Sequence, residues 1–596
     1  MIREGGTDPN ALFARAERAF VAGDLDGARA DLLAVGRAAG EHPAILHLLA
    51  LVEKKAGRAD ASADAFRRAL RLSPRDPQIR NNFANLLIAA GLLEEALEQL
   101  DGALAAAPGF EEGRVNRTIV LQRLGRPAPA LAEIAPLAAA RPADARVQTL
   151  HGAVLRDLHR LDEAGDAFDR ALAADPRRAT ALAGRARVAL DRGEADASAR
   201  HARALAADPT NRELRLGHAL AVEADGRLDE AAAMLERGVA ADPFWAEGQT
   251  QLTRVRSEAG DAGDIFRTFR AAVTRPGPPV ALHRAFVQVL AEAERPAEIV
   301  AHIQRTAAQV AADPVVAVHA AAAWSDTGDR RRADEAVERV AALPGGSGVA
   351  ARHWLRTGRP DRVRDAFDPE RGRPPADVAD WAYLGLAWRL LDDARADWLL
   401  HQPGLHRATD LPFEPGELDA LADTLRGLHR ARAHPIGQSL RGGTQTRGNL
   451  LARGEPALRA LGARLETAVA AYMAGLPPRD ARHPLLRHRD DPMRIAGSWS
   501  VRLTGSGFHV QHIHPEGVLS SALYVALPDR SGDADEQAGW LELGRPPADL
   551  GLDLPPIAVV EPRPGRLALF PSYLFHGTRP FRTGERLTVA FDVAAS

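Results

Sequence analysis

Residues 512–527, HIHPEGVLSSALYVAL, and 564–593, PGRLALFPSYLFHGTRPFRTGERLTVAFDV, carry the reading on which the fold turns. Both are apolar runs rich in Leu, Val, Phe and Tyr, broken by Pro-Glu-Gly, Pro-Gly and Thr-Gly, the punctuation of strands and turns. Side chains alternate along a strand, so His512 and His514 share a face, and so do Arg586 and Thr588. His576 ends the run LALFPSYLFH, ten residues before Arg586. Two close imidazoles, one distant imidazole and a cation after it suit a non-haem Fe(II) centre with a bound 2-oxoacid.

Outward from this stretch, the pattern from 494 onward is one of short strands: RIAGSWSVRL, GFHVQHIH, LSSALYVALP, GWLELG, AVVEPRPG, RLALFPS and RLTVAFDV. About seven such runs after one helix predict a β-sandwich or jelly roll. The helix is EPALRALGARLETAVAAYMAGL, residues 455–476, with apolar residues at helical period. HPIGQSLRGGTQTRGNL, 434–450, is polar and Gly-rich and reads as a loop. About 160 residues follow 434, a length at which a segment can bury its own core.

The first 245 residues repeat. Prolines at 74, 108, 142, 176, 209 and 243 are spaced 34, 34, 34, 33 and 34. Pro9, Pro43 and Pro77 keep the same step and fall where helices would begin. Between them runs helix, a turn glycine, then helix, as in AGRADASADAFRRALRLSP and HRLDEAGDAFDRALAADP. Ala96, Ala164 and Ala231 are small enough for paired helices to approach, while Phe66 with Ala69 and Phe168 with Ala171 fill the inner seam. From 246 to 430 the chain stays helical, but the sequence period fades. Trp381, Leu384, Trp388 and Leu391 make an amphipathic stripe that reads as core packing at a junction, with an aromatic ligand cage as the alternative.

Composition narrows the chemistry. The 596 residues predict two or more domains, and 46% apolar with 26% charged residues is ordinary for a globular chain. A formal charge of −3 argues for no nucleic-acid or anionic-membrane partner. With no cysteine, disulfides, thiolate metal sites and cysteine nucleophiles are excluded, so a metal must use His, Asp, Glu or water. MIREGGTDPN lacks the apolar core of a signal peptide, and no apolar run approaches membrane-spanning length, so a cytoplasmic location is expected.

The A-x-x-x-F-x-x-A-x-x-x-x-P half-motif and the period of 34 resemble tetratricopeptide repeats. The consensus Trp and Tyr of the first helix are largely replaced by Ala and Leu. The resemblance implies a superhelix of paired helices over residues 1–245, degenerate helical repeats and a junction over 246–430, and a protein or peptide partner on the concave face. A scaffold or dimerisation element without a peptide ligand is the competing role.

A lone H-x-H is weak, since 20 histidines in this chain produce about 0.7 such pairs by composition. Four features in order carry more weight: H-x-H, an alternating strand, a distant His after a Pro-Gly turn, and R-x-T ten residues on. That order resembles the Fe(II)- and 2-oxoglutarate-dependent dioxygenases. More narrowly, HPIGQSLRGGTQT, HIHPEGVLSSALYVALP, GWLELG, LFPSYLFHGTRPF and GERLTVAFDV resemble the 2-oxoglutarate–Fe(II) oxygenases found behind tetratricopeptide repeats. The resemblance covers roughly residues 434–594 and implies a double-stranded β-helix, or jelly roll, over 431–596.

It implies Fe(II) on His512, His514 and His576, with 2-oxoglutarate and O2 as co-substrates and no catalytic residue beyond the metal ligands. Arg586 would grip the far carboxylate of the 2-oxoacid, with Thr588 adding a hydroxyl and Tyr524 or Arg502 completing the pocket. The product would be succinate, coupled to hydroxylation of a C–H bond. The sequence departs from the general H-x-D/E motif at His514. A second register, His514-x-Glu516, restores a carboxylate ligand, although Pro515 should end the strand and turn Glu516 away. His509 would lie on the opposite face if the strand were regular. Arg586 has a surface pair with Glu585 as its alternative role, and Tyr524 has core packing. The missing carboxylate also leaves open a repeat protein whose jelly roll has lost its chemistry, and a metal-binding cupin-like enzyme would need neither Arg586 nor Thr588.

Overall fold

The computed structural model describes residues 8–368, 375, 377–528 and 535–595, so the first seven residues of MIREGGTDPN lie outside it. The chain divides into two compact units, Met1–Val188 and Ala189–Ser596.

In the first unit, helix pairs follow one another from Pro9–Ala22 through Leu161–Ala174. Each repeat is written in local chemistry. Asp76 accepts from the backbone N–H of Gln78 and Ile79, Pro77 stands in the first turn, and Gly91 closes the helix Pro77–Ala90 at φ 78°. The seam is built as expected: Phe66, Ala69, Ala96, Ala164 and Ala171 are fully buried and Phe168 is 1% exposed. Phe66 stacks on Phe83 at 5.5 Å. Phe168 lies against Gly152 and Gly184, where an added Cβ would come within 3.1 and 2.3 Å of its ring. The glycines make room for the aromatic.

In the second unit the helix pairs continue with a constant step. Ala246–Glu258, Val280–Glu292 and Pro314–Asp326 begin 34 residues apart, although the sequence period fades here. Leu252, Phe286 and Val316 are buried along these helices and keep the packing where the sequence period fades. Gly260, Glu294 and Gly328 occupy the matching turns at φ 71°, 56° and 81°. Glu294 thus takes a left-handed position that glycine fills elsewhere, at a cost of about 1–2 kcal/mol.

Among the described residues nine strands form one antiparallel sheet, the jelly roll expected at this end of the chain. They are β1 (Arg407–Asp410), β2 (Leu440–Gln445), β3 (Met493–His512), β4 (Leu519–Ala526), β5 (Leu541–Leu543), β6 (Ala558–Val560), β7 (Arg566–Pro571), β8 (His576–Thr578) and β9 (Glu585–Ala595). Their order is β1-β7-β4-β9-β3-β8-β5-β6, with β2 also on β3. Two expectations are corrected. RIAGSWSVRL and the GFHVQH of GFHVQHIH belong to one 20-residue strand, which ends at His512. The stretch read as a loop contains β2, because its glycines serve close strand approach: Gly443, at φ 155°, would place a Cβ 2.2 Å from the Arg502 carbonyl oxygen.

β9 shows how the strand period positions a site. Leu587, Val589, Phe591 and Val593 are fully buried in the apolar core. Arg586, Thr588, Ala590 and Asp592 take the other face and line a cavity. The core is also shared along the chain. One apolar cluster joins Phe570, Val589 and Phe591 of the sheet to Leu461 and Leu465 of the helix Pro456–Ala474, and to Trp381, Trp388 and Leu399. Trp381, Leu384 and Trp388 are buried core residues, with Trp398 edge-on to Trp388 at 6.4 Å. The apolar core of the last 160 residues is therefore continuous with that of the helices ahead of it. No helix among the described residues is long and apolar enough to cross a membrane.

Candidate metal centre

His512 is the last residue of β3 and pairs across the ladder with His576, the first of β8. His514 lies two residues beyond the strand end, ahead of the Pro515–Glu516 turn. One ligand atom from each of the three histidines lies within 4.8 Å of the others. Their ring centres are 4.2 Å (512 to 576), 5.1 Å (512 to 514) and 4.9 Å (514 to 576) apart.

Hydrogen bonding decides which nitrogen is free. The Nδ1 of His512 donates to the Val510 carbonyl oxygen at 2.9 Å, and that of His576 to the Leu574 carbonyl oxygen at 3.0 Å. The Nδ1 of His514 donates to the Asp592 carboxylate at 2.5 Å. A carbonyl or carboxylate oxygen can only accept, so each Nδ1 carries the hydrogen and each Nε2 keeps its lone pair. The Nε2 atoms of His512 and His514 then face each other at 3.1 Å. Two lone pairs at that distance repel unless a cation lies between them, so the donor set fits a metal ion.

Burial keeps the His512 and His576 imidazoles neutral, as ligation requires. Desolvation, then neighbouring His514, pushes His512 down to about 3. Desolvation, then His512 and His514, pushes His576 well below its ordinary value.

Arg586 is 2% exposed, and its guanidinium carbon stands 5.1 Å from the ring centre of Tyr524. Its Nη1 donates to Thr578 Oγ1 at 2.7 Å. Among the described residues its Nε has no hydrogen-bond partner, nor has the buried Tyr524 hydroxyl. Burial draws the guanidinium pKa down, yet arginine stays charged. Glu585, the alternative partner, points the other way and pairs with Arg426 at 2.8 Å and Arg502 at 2.5 Å. A buried cation that has no counter-ion among the described residues, opening on a cavity, is an anion site.

That cavity encloses about 750 Å³ and is lined by all three histidines together with Arg586, Thr578, Thr588, Trp499 and Asp592. Thr588 is 6% exposed and opposes Tyr524 across the β4–β9 ladder. Tyr524 lies behind Arg586, while Arg502 is held by Glu585 and is not part of the lining. Glu516 reaches the rim as an exposed turn residue, outside the group of converging ligand atoms.

His509 departs from simple alternation. A bulge between His509 and His512 breaks the period and stacks their rings 5.9 Å apart. Ser439, just ahead of β2, binds both, its Oγ 2.9 Å from His509 Nδ1 and 3.2 Å from His512 Nε2. Sequence reasoning missed Ser439, Thr578, Trp499 and Asp592. Two of these carried a signal: Asp592 has the strand parity of Arg586 and Thr588, and Thr578 that of His576.

Residues 497–592 match the family described as "Putative 2OG-Fe(II) oxygenase", and residues 54–114 match "Tetratricopeptide repeat". The chain thus joins tetratricopeptide repeats to a C-terminal domain of that oxygenase family. Similar solved structures include a tetratricopeptide repeat protein from Parabacteroides merdae, at 19% identity over 39% of this chain and 92% of that one, with a TM-score of 0.34. Another is pilF of Pseudomonas aeruginosa, at 18% identity over 35% and 95%, with a TM-score of 0.32. YrrB is similar at 18% identity over 33% and 97%, with a TM-score of 0.28. No curated protein matches the chain.

Proposed function

We propose that this chain is an Fe(II)- and 2-oxoglutarate-dependent dioxygenase, a hydroxylase, whose tetratricopeptide repeats recruit a protein or peptide partner. One observation carries the reading: three imidazole lone pairs converge in the same cavity as a buried arginine that has no carboxylate partner among the described residues. His512, His514 and His576 would hold the metal, with Glu516 as the alternative to His514. Arg586 would bind the far carboxylate of 2-oxoglutarate by charge-assisted hydrogen bonds, with Thr588 as a hydroxyl donor. Thr578 and the Tyr524 ring keep the guanidinium oriented when the co-substrate is absent. When bound, Fe(II) and 2-oxoglutarate supply activation of O2 coupled to decarboxylation, which yields succinate and CO2. Phe570 and Leu541 would form the apolar part of the cavity wall beside that step.

Purified protein reconstituted anaerobically with Fe(II) and 2-oxoglutarate should release succinate on admission of O2. The departure from carboxylate at position 514 favours one other reading, an interaction protein whose jelly roll is inactive. Iron binding without succinate release would support it. The repeats and a cytoplasmic location belong to the same proposal: cell fractionation checks the location, and pull-down on residues 1–245 should recover the partner that the full chain modifies.

A further inference from the structure

The three histidines are anchored unequally. His512 and His576 rest on backbone carbonyls, whereas His514 rests on a carboxylate. Asp592 makes no ion pair with any arginine or lysine among the described residues; its contacts are His514 and, at 3.4 Å, the Ser520 hydroxyl. The site is shaped around the pair. Trp499 covers the His514 ring at 5.4 Å. Gly517 packs close by: a Cβ there would come 2.9 Å from Ser572 Oγ and 3.3 Å from the Cβ of Asp592.

We infer that Asp592 supplies, through His514, the negative charge that a carboxylate ligand would otherwise bring to the metal. The inference rests on the proposed three-histidine centre. A carboxylate on Nδ1–H makes the imidazole a stronger donor at Nε2 and fixes its ring. Charge balance points the same way. A divalent metal and Arg586 bring three positive charges into the cavity, and a dianionic 2-oxoacid brings two negative ones. Asp592 supplies the third. The remaining charged groups of the lining are paired or exposed: Glu292 with Arg254, Glu294 with Arg441, and Glu516 in its turn. Asp592 is thus a positioning residue that restores, one bond further out, the charge missing from the ligand set.

The test titrates the full-length chain with Co(II), reading the dissociation constant and the ligand-field absorption, with unfolding midpoints of the metal-free variants as the fold control. Asp592→Ala should weaken binding by about 10–100-fold. Asp592→Asn keeps the shape and an acceptor but loses the charge, and should weaken binding at least about tenfold with a shifted absorption band. With His514→Asp as the background, Asp592→Asn should cost far less, because the charge then sits on the metal itself. Wild-type affinity in Asp592→Asn overturns the inference and reduces Asp592 to a ring support. Failure of the wild type to bind Co(II), or indifference to His576→Ala, overturns the three-histidine centre instead.

Discussion

The guanidinium of Arg586 lies over the face of Tyr524, 5.1 Å from the ring centre, and no carboxylate among the described residues answers its charge. The pairing stabilises the cation by about 0.5–2 kcal/mol, less than burial of an unpaired charge costs. Arg586→Met should therefore raise the unfolding midpoint of the metal-free protein while abolishing the stabilisation that 2-oxoglutarate confers. Two charge-assisted hydrogen bonds at roughly 1.5–3 kcal/mol each predict at least a tenfold rise in the 2-oxoglutarate requirement of Arg586→Ala. Thermal shift against co-substrate concentration measures both effects. An unchanged requirement would put the anchor elsewhere.

Metal occupancy separates the two possible ligand registers. His512→Ala, His514→Ala and His576→Ala should each lose most bound Fe(II), because each removes one of three converging lone pairs. Glu516→Ala should retain it, since Glu516 is exposed in its turn. Iron content after desalting reads the result, and retention by His514→Ala with loss by Glu516→Ala would reverse the assignment.

Truncation tests the shared core. The Tyr573 hydroxyl donates to the Leu399 carbonyl oxygen at 2.8 Å, that of Tyr472 to Leu405 at 2.5 Å, and Trp398 donates to Asp480 at 2.9 Å. A fragment starting at 434 loses these partners and uncovers the apolar cluster around Phe570 and Tyr573. We expect it to aggregate or melt without cooperativity, whereas a fragment starting at 189 should remain monodisperse with a sharp transition. Size-exclusion chromatography and circular-dichroism melts decide. A well-folded 434 fragment would show that the core closes alone.

A pH dependence follows from a carboxylate pair inside the second unit. Glu223 and Glu258 are both buried and share Arg447. Burial, partly opposed by Arg447 and reinforced by Glu258, pushes Glu223 up from 4.5 to about 7. The folded chain therefore holds a proton that the unfolded chain has released, and stability falls as pH rises between about 4.5 and 7. Glu223→Gln should flatten that slope and be more stable than the wild type at pH 8. Denaturant melts at a series of pH values measure it, and parallel curves for the two proteins would count against the assignment.

Local patterns in the sequence determined the repeat architecture, the strand-rich end and the candidate ligands. The 34-residue step, the first-turn prolines and the alternation along 586–592 are short-range signals, each set by the geometry of a single helix or strand. What the tertiary structure alone decided depends on segments brought together from afar. Ser439 beside His512, the bulge that turns His509 toward His512, and the packing of Trp388 against the sheet core arise from register between distant strands and helices. Glu585 and Arg586 illustrate the difference most simply. Adjacent in sequence and opposite in charge, they look like a surface pair. The pleat sends Glu585 out to Arg426 and Arg502 and turns Arg586 into the cavity, because neighbouring residues in a strand face opposite sides and only the assembled sheet determines which side is buried.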